Sequence, residues 1–104
     1  MKRVIDGKRY DTDKAQCVAE YANTYDRGDF HWYEEGLYQT AAGSWFLACQ
    51  GNAASPYARA VAQNERGPGE ELRVLSEAEA RAWLEQHNKT GELEDYFGDS
   101  IADA

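Results

Sequence analysis

The chain lacks a metal-ligating set, a cysteine framework, a long apolar run and a positive balance of charge. Each absence closes off a class of protein. His31 and His87 are the only histidines, and neither has a Cys or His at ligand spacing, so the sequence predicts no metal and no cofactor. Asp26 and Asp29 flank Arg27 and Gly28 but lack the spaced acidic set of a calcium loop. Gly67-Pro68-Gly69 is followed by no Lys-Ser or Lys-Thr, so it is no phosphate cradle. No apolar stretch approaches the roughly 18 residues of a membrane span. Behind Met1-Lys2-Arg3 there is no hydrophobic stretch, which predicts no signal peptide and a reducing, cytoplasmic setting. There, Cys17 and Cys49 are expected to be buried free thiols. Eleven cations stand against nineteen carboxylates, a net charge of −8. Duplex binding depends on phosphate neutralisation by Lys and Arg, so neither nucleic acid nor an acidic membrane is an expected direct partner.

What is present is the composition of one small globular domain. The 104 residues are 42% hydrophobic and include three Trp and seven Tyr, bulky groups that a small core needs. Residues 89–104 set Lys89 against Glu92, Glu94, Asp95, Asp99 and Asp103, a net of −4. Residues 1–88 therefore read as the domain, and 89–104 as an acidic tail, partly ordered at most, in which Leu93, Tyr96 and Phe97 anchor a further turn of helix.

Local signals order the elements. Asp6-Gly7 between short β-prone runs predicts a tight hairpin over 4–10. Thr12 or Asp11 caps a helix to about Tyr21, because Ala15, Val18, Ala19 and Ala22 fall on one helical stripe. Residues 30–40 read as an aromatic strand, Ala41-Ala42-Gly43 as a turn, and 44–50 as the return strand of a central hairpin with bulky groups on both faces. Trp45 and Leu47 share one face, and Phe46 and Ala48 the other. Ser55-Pro56 predicts a short helix to about Gln63. Residues 64–69 read as loop, and 71–75 as a strand with Leu72 and Val74 on one face. Ser76-Glu77-Ala78-Glu79 is a capping box opening a helix to about His87, with Ala80, Trp83, Leu84 and His87 inward. Glu77, Arg81 and Glu85 are spaced as an ion-pair ladder on its wet side. The expected fold is α+β: a small, mostly antiparallel sheet of two hairpins and one strand, with two to three helices packed on it.

No catalytic set emerges. Cys49 reads as a small buried residue on the return strand. Glu34 and Glu35 are adjacent, so in a strand they point to opposite faces. A buried carboxylate there is a candidate for a shifted pKa; a solvated edge is the plainer reading. The aromatic residues Tyr25, Phe30, Trp32, Tyr33, Tyr38, Trp45 and Phe46 read either as core or, in part, as an exposed patch rimmed by charge.

The runs Gly7-Lys8-Arg9-Tyr10-Asp11-Thr12, Tyr33-Glu34-Glu35-Gly36-Leu37-Tyr38-Gln39-Thr40 and Gly43-Ser44-Trp45-Phe46-Leu47 carry a resemblance. So do Tyr57-Ala58, Leu75-Ser76-Glu77 and Trp83-Leu84-Glu85. On these the chain resembles small uncharacterised proteins of bacterial mobile elements and phages. The resemblance names no reaction. It implies a setting in which small accessory proteins bind host or phage proteins, some of them as acidic inhibitors of defence systems that act on nucleic acid. The sequence thus predicts a non-enzymatic protein-interaction module whose partner is an unidentified protein. Trp32, Tyr33, Glu34, Glu35 and Tyr38 are the interaction candidates. Nucleic-acid mimicry is one form of this, tested by whether Glu34, Glu35, Asp26 and Asp29 make one negative face. The alternative is a small ligand-binding domain or enzyme with its site on the aromatic hairpin. An exposed sheet edge offers a route to a homodimer.

Overall fold

The aromatic middle of the chain forms the heart of a sheet. Strands β4 (Tyr33–Gln39) and β5 (Trp45–Gly51) pair antiparallel around a turn where Gly43 takes a φ of 93°. The structure, a computed structural model, describes residues 1–104. Strand β3 (Gln16–Ala22) pairs with β4, and β8 (Gly69–Leu75) with β5, giving the order β3-β4-β5-β8 with every pairing antiparallel. The two outer strands leave free edges. Two further ribbons complete the strands: β1 (Lys2–Ile5) with β2 (Lys8–Asp11), and β6 (Arg59–Ala62) with β7 (Glu65–Gly67). Helices α1 (Glu77–Gln86) and α2 (Thr90–Phe97) follow, then a 3₁₀ turn over Gly98–Ser100. The α+β class and the mostly antiparallel sheet agree with the sequence.

Because side chains alternate across the sheet, the two faces have separate cores. One face presents Leu37, Trp45, Leu47 and Cys49 to Ala80, Trp83 and Leu84 of α1 and to Phe97 of α2, in a cluster of ten buried residues. The other face presents Phe46 and Leu72 to Tyr10 of β2, a cluster of only three. Tyr10 meets Phe46 edge-on at 5.5 Å. Helices therefore cover one face, and the β1–β2 hairpin covers part of the other.

The capping box at α1 is formed as the sequence predicts: Glu79 donates its amide to the Ser76 hydroxyl at 3.1 Å, and the Glu79 carboxylate accepts the Ser76 amide at 2.8 Å. At the other end Asn88, with a φ of 55°, closes the helix in a Schellman pattern: Asn88 N bonds to Glu85 O and Lys89 N to Leu84 O. Of the expected ladder only Arg81–Glu85 is formed, at 3.9 Å; the Arg81 guanidinium instead reaches the Ser100 hydroxyl at 2.7 Å. That bond and the stacking of Phe97 on Trp45, 5.5 Å apart, dock residues 90–100 against the sheet.

Three segments correct the sequence reading. Residues 89–104 are not a tail outside the domain: α2 packs Phe97 into the helix-side core, because Trp45 offers it a ring to stack on. The expected helix over 12–21 is strand β3. Its cap is spent elsewhere: the Thr12 hydroxyl accepts from the Met1 amine and donates to Met1 O, while Asp11 turns back on the Asp13 amide. The pairing with β4 slips between Cys17 and Ala19, and Val18 and Ala19 both pack on the helix side, so a strand shows helix-like spacing. The expected short helix from Pro56 is also absent. Ser55 accepts the Tyr57 amide on its hydroxyl and the Ala58 amide on its carbonyl, which makes a turn. The chain then forms the β6–β7 hairpin around Asn64, whose φ is 61°.

At one end of the sheet Gly51 pairs with Gly69. The segment 52–58 crosses there, so close that a Cβ on Gly69 would lie 2.1 Å from the Tyr57 carbonyl oxygen. The chain is also extended, with a radius of gyration of 15.2 Å against roughly 13 Å for a compact domain of this length.

Candidate functional site

Glu34 and Glu35 do lie on opposite faces, and their surroundings differ. Glu35 points under α1. Its carboxylate accepts the Trp83 indole N–H at 2.8 Å and the Tyr57 hydroxyl, and His87 Nε2 lies 3.9 Å away. His87 stacks on Tyr21 at 3.9 Å and meets Trp83 edge-on at 4.7 Å. Burial holds the imidazole below its usual range, with the nearby Glu35 opposing and Lys89 adding to the shift. The 3.9 Å approach is therefore a neutral contact and not an ion pair at pH 7. Burial, then the bond to Glu35, pushes the Tyr57 phenol far up. Cys49, paired with Glu35 across the strands, is fully buried, and burial pushes its thiol up to about 11. A thiol in that state is no nucleophile at neutral pH. The cluster pins α1 to the sheet: it places a partly buried carboxylate under the helix and meets it with two neutral donors.

Glu34 sits on the opposite face and accepts from the Gln50 amide. With Glu20 and Glu70 it rims a shallow depression of about 260 Å³. Asp29 lies elsewhere, accepting the His31 amide at 2.8 Å and facing His31 Nδ1 at 3.1 Å; the amide bond chiefly holds its pKa low. Glu34, Glu35, Asp26 and Asp29 thus make no single negative face. The acid density is in the helical layer, where residues 76–104 hold eight carboxylates and two cations, a net of −6.

The five interaction candidates are split as well. Tyr33 and Glu35 are on the helix side, Tyr33 half-buried and edge-on to Tyr57 at 5.8 Å. Glu34 and Tyr38 are on the hairpin side, Tyr38 stacked on Phe46 at 5.3 Å. Trp32 is buried, with the Arg27 guanidinium 4.9 Å above its ring. The expected partly exposed patch of Trp32, Tyr33 and Tyr38 is therefore not formed, because alternation sends the strand residues to two different cores.

The exposed aromatics are next door, in the loop before β4. Phe30 is 71% exposed and Tyr25 50%. Tyr25 stacks on His31 at 5.2 Å. The loop is pinned by side chains: Asn52 donates to Arg27 O at 2.8 Å and Asp29 O at 2.7 Å, and Asn23 donates to His31 O at 2.8 Å. Backbone bonds add Ala54 N to Phe30 O at 2.7 Å and Asn52 N to Trp32 O at 2.9 Å. The sequence reading starts the strand at Phe30, but β4 starts at Tyr33, so Phe30 falls in the loop, which gives an aromatic no second layer to pack against.

No family model, no curated protein and no solved structure matches the chain. No helix is long and apolar enough to cross a membrane.

Proposed function

We propose that this chain is a non-enzymatic protein-interaction module that docks a partner protein through the loop from Tyr25 to Trp32, with Phe30 as the anchor. One observation carries this: Phe30 is 71% exposed on a backbone held by Asn23 and Asn52. A large apolar side chain displayed on a pre-ordered loop loses little entropy when it enters a pocket, which is the economy of a binding anchor. Asp26, Arg27 and His31 supply a polar rim. The extended shape and the small share of buried residues, 17 of 104, favour a surface that works by contact. The setting that the resemblance implies fits this reading: an accessory protein of a mobile element or phage, acting on a host or phage protein. The mimicry form draws no support from Glu34, Glu35, Asp26 and Asp29, which are scattered.

The test is affinity capture from the source cell with quantitative mass spectrometry. A stoichiometric partner is expected with the native chain and with Val74→Ala, an exposed apolar control on β8, and is lost with Phe30→Ala at unchanged melting temperature. Recovery of the same partner with Phe30→Ala, or no reproducible partner at all, rejects the reading.

A further inference from the structure

In an acidic molecule one concave place is cationic. A groove of about 530 Å³ runs between β2, the turn after it and the β4–β5 turn, and Lys8, Arg9 and Lys14 line it. None of the three is in an ion pair; the close contacts between acidic and basic side chains are His31–Asp29, Arg73–Glu71, Arg81–Glu85 and the neutral His87–Glu35. The one carboxylate in the lining, Asp11, accepts the Asp13 amide at 3.0 Å. Thr40 and Ser44 also line the groove. The Thr40 hydroxyl accepts the Ser44 amide at 3.0 Å and keeps its own O–H to donate, and the Ser44 hydroxyl bonds no protein group. The rest of the wall is apolar: buried Tyr10 and the small side chains of Ala15, Ala41 and Ala42.

The walls are already in place. Lys14 N and Ala15 N bond to Asp11 O at 3.1 and 3.0 Å, Thr12 N bonds to Met1 O at 2.9 Å, and Gly43 N bonds to Thr40 O at 2.9 Å. Lys8 shares the Tyr10 face of β2 and lines the concavity with Lys14 and the two hydroxyls, while Arg9, next in the strand, points to the opposite face and adds charge at the margin. Two cations and two hydroxyls around one concavity suit a dianion with three terminal oxygens. The net charge of −8 on the whole chain repels a long polyanion, so a compact ligand is favoured over a nucleic acid strand.

We propose that this groove binds a small organic phosphate monoester. Lys8, Lys14 and the two hydroxyls take the phosphate, and Tyr10 and the alanines take the apolar body. The site is separate from the Phe30 loop and stands or falls independently of it.

The test is a titration followed by ¹H–¹⁵N NMR, with phenyl phosphate as the probe and phenol and inorganic phosphate as its two halves. Phenyl phosphate is expected to shift the amides of Tyr10, Ala15 and residues 40–44 saturably, with a Kd on the order of 1 mM or tighter. Phenol should leave them in place, and inorganic phosphate should bind several-fold more weakly. Lys8→Glu with Lys14→Glu should weaken binding by about tenfold or more. Lys2→Glu with Arg3→Glu, a charge control outside the groove, should leave it unchanged. The dispersion of each spectrum reports that the variants are folded. The proposal is overturned by an absence of saturable shifts, by equal weakening in both pairs of variants, or by a thymidine octanucleotide occupying the same amides more tightly than phenyl phosphate.

Discussion

The two faces of the main sheet are built to different rules. The helix side carries ten of the clustered buried residues, encloses a carboxylate, and lies under a layer of net charge −6. The hairpin side carries three, and residues 1–14 above it hold five cations and three carboxylates, a net of +2. Apolar burial stabilises in proportion to area, so the helix side sets the stability of the fold. The hairpin side contributes little to that and keeps its chemistry at the surface. Glu20, Glu34 and Glu70 also lie on the hairpin side, so neither side is cationic as a whole and the helix side is the more acidic of the two.

Substitutions can break this contrast or sharpen it. The largest effect belongs to Trp83→Ala, which opens the helix-side core and removes one of Glu35's donors. A loss of about 3–5 kcal/mol in urea unfolding is expected. Trp83→Phe keeps most of the ring but not the N–H, and should cost about 1–3 kcal/mol. If the phenylalanine variant is as stable as the native chain, the Glu35 network holds nothing. On the hairpin side, Tyr10→Ala should cost less, about 2 kcal/mol, and should act locally. Hydrogen exchange should then accelerate in β1 and β2 while β5 keeps its protection; a loss as large as that of Trp83→Ala would erase the distinction between the faces.

Smaller still is the effect of pH. His87 is held below its unfolded value of 6.5, so between those values the unfolded chain binds the extra proton. Its contribution is present above about pH 6.5 and is lost as pH falls from there towards the lower folded pKa. Melting temperatures should fall as pH is lowered from about 7.5 to about 5.5, and His87→Gln should flatten that slope. A slope unchanged in His87→Gln would assign it elsewhere. The smallest perturbation is thiol labelling. Cys17 is exposed and Cys49 buried, and the two lie on opposite faces with β4 between them. In native conditions Ellman's reagent should titrate Cys17 alone, although burial and the neighbouring Glu20 raise its pKa. Cys49 should react only in denaturant.

The features legible in the sequence were those whose partners are near in the chain. The α1 capping box spans three residues, and the central hairpin needs only a turn with Gly43, so both were readable. The opposite facing of Glu34 and Glu35 followed from pleating alone. The strand β3 was not readable, because a bulge and a tie from Thr12 to residue 1 replaced the local signals of a helix. Cys17 was expected inside, but it stands exposed on that outer strand. The Glu35 network was out of reach for a related reason: its donors come from the crossing segment and from α1, Trp83 being 48 residues away. The loop aromatics Tyr25 and Phe30 are visible as members of the aromatic cluster, but the neighbouring acidic pair points the sequence reading to Trp32, Tyr33 and Tyr38; Trp32 is buried, and the two cores divide Tyr33 from Tyr38.

The crossing at Gly69 gives the fold an unusual weak point. The Tyr57 carbonyl lies where a side chain would begin, and the same residue's hydroxyl holds Glu35 at the other end of its ring. One added carbon at position 69, on the rim of the sheet, would push on that ring like a hand on a lever and be felt beneath α1. In a library of all substitutions, the column for this outlying glycine should therefore be as empty as the column for Trp83.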